Sequence, residues 1–330
     1  MMKMNKIILV VIFFTQVSVF FLVSCSKEDD DEKNLQKLSI EEGMDFYYYC
    51  NVDIARPESL DQYKNLLVFT AGNGLDADYH FAVANDAINE AGLSSSTVIV
   101  SPQFELSNTR NNYYWGNFVW KDGRKSINAV PKISSFSILD SLVINNVLKN
   151  YPNIETVLIS GHSAGAQYVY RYSALSSLPE IISQNVMYLP LNPTSYTYMG
   201  NERWNKKYQR FEVPLNAPSC PGYDEWQYGL KNLSSNEYKR DIDTTEVRST
   251  FPFRNLTIGI GTEDLGGGFD CERLYQGEHR YERAQNVMKY LNEFYPSHNH
   301  DIIEVEGVNH EAGAMITSPE IVAFLREVLE

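Results

Sequence analysis

The chain has 330 residues, of which 43% are hydrophobic and 21% are charged, and its formal net charge is −14. This composition is ordinary for a globular protein, and the length suffices for one large hydrophobic core or two smaller ones. Binding along a nucleic-acid backbone requires a basic surface, so the acidic balance argues against nucleic acid as a partner.

The N-terminus has the pattern of an export signal. A lysine-containing start precedes an apolar run over residues 7–23, which ends in Leu22-Val23-Ser24-Cys25. This ending resembles the lipobox of bacterial lipoproteins, which are cleaved before the cysteine and acylated on it. We therefore predict a lipoprotein signal peptide over residues 1–24 and lipidation of Cys25. The alternatives are an ordinary secretory signal peptide and an uncleaved anchor, because the run is about as long as a minimal membrane span.

An acidic run follows Cys25, and residues 26–32 read Ser-Lys-Glu-Asp-Asp-Asp-Glu. Like charges repel and bury nothing, so we predict a solvated, lipid-anchored tether over residues 25–40. The run also resembles the acidic export signal that follows the lipidated cysteine in surface lipoproteins of Bacteroidetes. That resemblance implies an outer-membrane lipoprotein displayed on the cell surface, with the periplasm-facing leaflet as the alternative. The membrane would then be a partner through the acyl chains.

Strands and helices alternate over residues 41–330, which predicts one α/β domain with a mostly parallel central sheet flanked by helices. Short apolar runs predict strands at 65–70, 96–101, 156–160, 186–191, 256–260 and 302–305. Apolar residues spaced three and four apart predict helices at 77–92, 136–151, 164–175, 278–294 and 320–329. Residues 193–254 hold many aromatic residues and several prolines without a clear period, so we predict a lid-like insertion there.

The pentapeptide Gly161-His162-Ser163-Ala164-Gly165 matches the pattern G-x-S-x-G. A predicted strand runs directly into it and a predicted helix leaves it, which is the context of a nucleophile elbow. In this turn the serine must stand clear of the sheet, and small residues two positions before and after it avoid backbone clashes. We predict Ser163 as a nucleophile; the alternative is a serine in an ordinary glycine-rich turn.

A serine nucleophile in this context needs an acid and then a histidine later in the chain. His310 follows the last predicted strand, where the general base is expected, and is the predicted base. Asp264 follows the strand over 256–260 and is the predicted acid, with the adjacent Glu263 as the alternative. The remaining histidines lie within the elbow, on predicted helices or before the last strand, namely His162, His80, His279, His298 and His300. For His298 and His300, with Asp301, a polar surface loop is favoured over a metal site.

Stabilising an oxyanion requires two backbone N–H donors. The sequence predicts one at Ala164, directly after the nucleophile and at a helix N-terminus. The other is predicted in the loop Thr70-Ala71-Gly72-Asn73-Gly74, with Asn73 as the donor, because the glycines there permit a close backbone approach. The alternative for this loop is a simple turn.

A resemblance to a known family extends these local patterns. The stretch Gly161–Gln167 with Tyr170-Arg171-Tyr172 looks like the G-H-S-A-G-G-Q…Q-R-Y stretch of a family of bacterial and fungal α/β-hydrolases. Ala166 departs from that family, which tends to have glycine there. The resemblance runs from about Tyr47 to the C-terminus and implies the α/β-hydrolase fold and the triad positions, but no substrate. Further matching segments are Ser101–Phe104, Asn192–Tyr196 and Tyr275–Gly277.

These patterns together predict a serine hydrolase, most simply a carboxylesterase acting on an extracellular ester, for which a glycan-linked ester is one candidate. Neither a metal nor a cofactor is expected. A serine peptidase with the same triad is one alternative. A surface lipoprotein that binds glycans on an unused hydrolase scaffold is the other, suggested by the aromatic insertion.

Four cysteines are present, and Cys25 is assigned to lipid. Cys220 lies in the insertion and Cys271 lies a few residues after Asp264, so both are expected above the catalytic edge of the sheet. Cys50 follows an early predicted strand far from that edge. We predict a Cys220–Cys271 disulfide with Cys50 as a buried free thiol; three unpaired cysteines are the alternative.

Overall fold

The computed structural model describes residues 34–41, 43–57, 60–128, 130–239 and 241–330. The predicted signal peptide and the lipidation site Cys25 lie outside these residues. Among the residues described, no helix is both long and apolar enough to cross a membrane.

The folded body begins earlier than the sequence pattern predicts. Strand β1 (Leu35–Glu41) falls within the segment assigned to the tether, and it pairs antiparallel with strand β2 (Met44–Cys50). Leu38 and Ile40 pack against the core. The prediction of a tether up to residue 40 was therefore wrong at its C-terminal end, because the apolar–polar alternation of an edge strand follows directly on the charge run.

Besides β1 and β2, the central sheet of the described residues contains β3 (Asn65–Thr70), β4 (Thr97–Pro102), β5 (Thr156–His162), β6 (Asn185–Leu191), β9 (Leu256–Gly261) and β10 (His300–Val305). These eight strands lie in the order β1-β2-β4-β3-β5-β6-β9-β10. Neighbours from β4 to β10 are parallel, and β1 and β2 add an antiparallel edge. Every residue of β3, β4 and β9 is buried, as expected for strands covered on both faces.

Helices cover both faces of the sheet. The described helices are α1 (Ala77–Glu90), α2 (Ser135–Asp140), α3 (Ala164–Leu175), α4 (Leu178–Ile181), α5 (Thr244–Thr250), α6 (Cys271–Leu274), α7 (Arg280–Phe294), α8 (Ala312–Ile316) and α9 (Pro319–Leu329). Helices α1, α8 and α9 pack in one cluster with Leu67 and Phe69 of β3. Helices α2, α3 and α7 pack in the other cluster with Leu66 and Val68, because successive strand residues face opposite sides.

The predicted helix over 136–151 is present as two successive segments with different hydrogen-bond patterns. It is α-helical in α2 and continues as a π-helix over Ser141–Leu148. The predicted insertion contains helix α5, several single 3₁₀ turns and a hairpin of strands β7 (Arg203–Asn205) and β8 (Arg210–Glu212). The ring of Phe211 in β8 packs against Tyr290 and Phe294 of α7. The aromatic residues of the hairpin therefore anchor part of the insertion on the outer helix layer.

Candidate active site

Ser163 lies in a strained turn at the carboxyl end of the central strand β5, and helix α3 begins at the next residue. Its φ of 58° and ψ of −109° fall in a sparsely populated region, as functional sites often show. The turn depends on two glycines that let backbones approach closely. A Cβ at Gly165 would lie 2.1 Å from the Thr70 carbonyl oxygen, and one at Gly161 would lie 2.8 Å from the same atom.

The structure brings Ser163, His310 and Asp264 together. His310 Nδ1 donates to Asp264 Oδ2 over 2.7 Å, and the Ser163 hydroxyl lies 2.8 Å from His310 Nε2. A carboxylate oxygen only accepts, so the proton belongs on Nδ1 and leaves Nε2 free to accept from the serine. Asp264 is 1% exposed while the His310 side chain is 30% exposed, so the acid is buried and the base is partly open to solvent.

Asp264, rather than the adjacent Glu263, faces the imidazole. The Asp264 N–H donates to the carbonyl of Gly261, which closes a turn after strand β9. Glu263 is exposed, and its N–H donates to the carbonyl of Val308 in the loop before His310. The side chains of neighbouring residues point apart, so this turn presents one carboxylate to the base.

Arg280, which no sequence pattern identified, binds the second carboxylate oxygen of Asp264. Its Nη1 donates to Asp264 Oδ1 over 3.0 Å, and its Nε donates to Thr194 Oγ1 over 3.0 Å. As the first residue of helix α7, it has the sequence context of an ordinary surface arginine. No local pattern could have found it, because its partners lie in two other loops.

Asn192 joins the loops that carry the acid and the base. It has a positive φ of 52°, and its Oδ1 accepts from the Gly261 N–H over 2.9 Å. Its Nδ2 donates over 3.1 Å to the carbonyl of Asn309, the residue before His310. Asn192 opens one of the segments that carried the family resemblance, so that segment was the signal available for it.

The two predicted oxyanion donors lie beside Ser163. Ala164 is the first residue of helix α3, so its N–H has no acceptor within the helix. A Cβ at Gly72 would lie 3.5 Å from the Ser163 Cβ, which places the loop after β3 next to the nucleophile. Asn73 follows in that loop and lines the cavity that contains Ser163.

His162 and His300 lie outside the triad, and both are buried in the fold. The His162 ring is buried with its centroid 4.7 Å from that of His310. Burial, with a further contribution from His310, lowers the pKa of His162 well below its usual value, so its ring is neutral. His300 is not in the polar surface loop that the sequence suggested. It begins strand β10, its ring is buried against the Phe251 carbonyl, and burial lowers its pKa to about 4.

A cavity of about 350 Å³ opens at Ser163. Its lining is polar and includes three cationic side chains. The lining residues are Asn73, Asn117, Phe118, Lys121, Ser163, Gln167, Thr194, Gly267, Gly268, Arg273 and Arg280. Lys121, Gln167 and Arg273 were not among the predicted site residues, although Gln167 lies in the stretch that carried the family resemblance.

The predicted disulfide between Cys220 and Cys271 is present, with Cα atoms 5.9 Å apart, and it links the insertion to helix α6 just after the acid loop. Cys50 is free and buried, and burial raises its pKa to about 12, so the thiol is unreactive.

We expect the double variant Cys220→Ser/Cys271→Ser to lose about 4 kcal/mol of unfolding free energy, because the bond closes a loop of 51 residues in the chain-entropy model. Urea unfolding with and without reductant measures this. The reduced wild type is the matched control and should unfold like the variant. Equal unfolding free energies for variant and oxidised wild type, or a Cys50-containing cross-link on non-reducing peptide mapping, would contradict the assignment.

No protein-family model matches the sequence, and the curated proteins include no match. Solved structures do resemble it. Poly(aspartic acid) hydrolase-1 from Sphingomonas sp. KT-1 aligns at 17% identity and a TM-score of 0.61, over 89% of this chain and 97% of that one. A poly(3-hydroxybutyrate) depolymerase from Bordetella parapertussis aligns at 17% identity and a TM-score of 0.60, over 86% of each chain. At this identity the likeness concerns architecture, and the chain has the α/β-hydrolase fold that its sequence predicted.

Proposed function

We propose that the protein is a serine hydrolase that cleaves carboxylic esters. The observation that carries the proposal is the hydrogen-bonded chain from Ser163 through His310 to Asp264, with Ser163 on the wall of an open cavity. A nucleophile, a base within hydrogen-bond reach and a third group that orients the base are the parts that covalent acyl transfer requires.

In the first half of the reaction, Ser163 Oγ attacks the ester carbonyl carbon while His310 Nε2 takes the hydroxyl proton. Asp264 holds the imidazole in the reactive tautomer and stabilises the imidazolium. The N–H groups of Ala164 and Asn73 stabilise the oxyanion. His310 then gives its proton to the leaving alkoxide, and the alcohol departs.

In the second half, water attacks the carbonyl carbon of the acyl-enzyme while His310 Nε2 takes a proton from that water. The tetrahedral intermediate collapses, the proton returns to Ser163 Oγ, and the carboxylic acid leaves. This cycle restores the starting proton positions at Ser163 and His310. It uses only groups of this chain and water.

The same triad can cut amides, so a serine peptidase is the second candidate. Hydrolysis of an activated ester and of a matched aminoacyl amide, both compared with Ser163→Ala, separates the two. We expect Ser163-dependent hydrolysis of the ester with a much smaller kcat/KM on the amide. A higher kcat/KM on the amide would assign the peptidase. Absence of Ser163-dependent hydrolysis of either would leave the glycan-binding alternative.

We also propose that the protein acts at the bacterial outer membrane as a lipoprotein, on the cell surface or facing the periplasm. The lipobox-like sequence ending in Cys25 and the acidic run after it support this proposal. Surface display would expose the site to extracellular esters, among which a glycan-linked ester is a candidate.

Cys25→Ser is expected to release the mature protein from membranes, because the acyl attachment point is removed. Sedimentation after alkaline washing, with Cys50→Ser as the matched control that stays membrane-bound, measures this. A Cys25→Ser protein that still sediments would assign an uncleaved signal anchor instead.

A further inference from the structure

The cavity at Ser163 is cationic although the chain as a whole is acidic. Lys121, Arg273 and Arg280 line it, and no aspartate or glutamate is among its lining residues in the described part of the chain. The formal net charge of the protein is −14, so the cavity departs in sign from the average surface. Such a concentration of charge attracts ligands of the opposite sign.

Two of these cations have a carboxylate partner each. Arg280 donates to Asp264, and Arg273 forms an ion pair with Asp270, three residues before it. The Nε of Arg273 is nevertheless buried without a hydrogen-bond partner among the described residues. A buried donor of this kind is costly unless a ligand or water accepts from it.

Lys121 is the least compensated cation. Its side chain is 13% exposed, and its Nζ donates over 3.0 Å to the carbonyl of Phe118. The nearby carboxylate is Asp122 at 4.0 Å, and that group already accepts from the buried Arg171 over 2.7 Å. Burial lowers the pKa of Lys121, opposed by Asp122 and reinforced by Arg171 and Arg273. One carboxylate thus serves two cations.

The backbone that carries Lys121 is held in a strained form. Asn117 and Phe118 both have a positive φ, of 54° and 57°. Residues other than glycine rarely adopt this backbone conformation. The indole N–H of Trp226 holds the end of this segment by donating to the Asp122 carbonyl over 2.9 Å. The strained turn places Asn117, Phe118 and Lys121 together on the cavity wall.

Gln167 adds a neutral donor. Its Oε1 accepts from Arg171 Nη2 and from Ser195 Oγ, each over 3.0 Å. An arginine can only donate, so this contact fixes which end of the Gln167 amide is oxygen. The opposite end, the NH₂ group, is then available to the cavity that Gln167 lines.

We propose that this cavity binds a carboxylate carried by the ester substrate, with Lys121 and Arg273 as its cationic partners and Gln167 as a neutral donor. The proposal rests on the proposed ester hydrolysis and adds a substrate class to it, namely esters with a free carboxylate near the scissile bond. Charge-assisted hydrogen bonds to such a group are stronger than neutral ones, so they can decide between substrates.

Two matched substrate pairs test this proposal. The first pair carries the charge on the acyl side, 4-nitrophenyl hydrogen adipate against 4-nitrophenyl adipamate. The second carries it on the alcohol side, 4-acetoxybenzoate against 4-acetoxybenzamide. Each kcat/KM is divided by the spontaneous hydrolysis rate of that ester, which removes differences in intrinsic reactivity. We expect wild type to favour the carboxylate of at least one pair by about tenfold or more.

Lys121→Met is expected to reduce that preference by about tenfold or more, and Lys121→Arg, which keeps the charge, to retain most of it. Lys231→Met, on an exposed residue of the insertion, is the matched control and should leave the preference unchanged. Arg273→Met provides a second variant, and a urea unfolding midpoint shows that each variant is folded.

The outcomes separate this proposal from the one it rests on. Equal normalised rates within both pairs, with Ser163-dependent turnover of all four esters, would overturn carboxylate binding and leave ester hydrolysis standing. A wild-type preference that survives in both folded Lys121→Met and folded Arg273→Met would overturn the assigned residues. Failure to hydrolyse any of the four would contradict the proposed function itself.

Discussion

Ser163→Ala is expected to lower kcat for an activated ester about 10⁴-fold or more, leaving only the residual rate that triad variants retain. The reason is that the covalent path needs the hydroxyl that lies 2.8 Å from His310 Nε2, and no other hydroxyl is hydrogen-bonded to that nitrogen in the described structure. Steady-state kinetics with an activated ester measures the loss. Ser94→Ala, on an exposed loop, is the matched control and should keep wild-type activity.

Retention of a tenth or more of wild-type activity in folded Ser163→Ala would contradict the nucleophile assignment. Alanine also carries a Cβ, so the substitution leaves the backbone strain of this turn in place and removes only the hydroxyl. A loss of activity without loss of stability would therefore separate the chemical role of Ser163 from a role in folding.

Asp264→Asn is expected to lower kcat on the order of 10⁴-fold, while Glu263→Gln should be close to wild type. The contact with Arg280 determines how an asparagine side chain would be oriented at this position. It donates to Oδ1 of residue 264, so an asparagine would keep its oxygen there and turn its NH₂ toward His310 Nδ1. That contact would place the histidine proton on Nε2, where it blocks transfer from Ser163.

Kinetics of both variants on one activated ester measure the ranking. Asp264→Ala is a further control, because it removes the acid without imposing the wrong tautomer, and it should be impaired no more than Asp264→Asn. A larger loss in Glu263→Gln than in Asp264→Asn would transfer the role of the acid to Glu263.

The sequence predicted the fold because the strands that matter are short apolar runs buried on both faces, and β3 and β9 were predicted almost to the residue. The predicted positions of the strands also indicated where the candidate site lies. Ser163 and Asp264 follow two of these buried strands, β5 and β9, and His310 follows the partly exposed edge strand β10. The carboxyl ends of parallel strands meet at one edge of the sheet. Chain order then sufficed to propose which residues meet.

The groups that the sequence did not identify depend on contacts between distant segments. Arg280 binds Asp264 and Thr194, and Asn192 binds Gly261 and Asn309, so their roles are visible only in these tertiary contacts. For Asn192 the family resemblance of its segment was the one signal in the sequence. Lys121 lies in a segment with positive φ at two residues and no periodic pattern, where propensity rules carry little information.

Two predictions differ from the structure, namely the end of the tether and the helix type over residues 136–151. The acidic run before β1 made residues 35–40 look like a continued tether, although Leu38 and Ile40 alternate as in an edge strand. The apolar spacing over 136–151 predicted one helix but carried no signal for the change from i→i+4 to i→i+5 hydrogen bonds after Asp140. In both places the deciding interactions are made with the rest of the fold.

Covalent labelling with a fluorophosphonate tests the central claim most directly, because it requires an activated serine and no knowledge of the substrate. We expect intact mass to increase by one adduct, peptide mapping to place the adduct on Ser163, and Ser163→Ala to remain unlabelled. Asp264→Asn should label far more slowly than Glu263→Gln. An adduct on another residue, or folded wild-type protein that does not react, would contradict the assignment of Ser163 as an activated nucleophile.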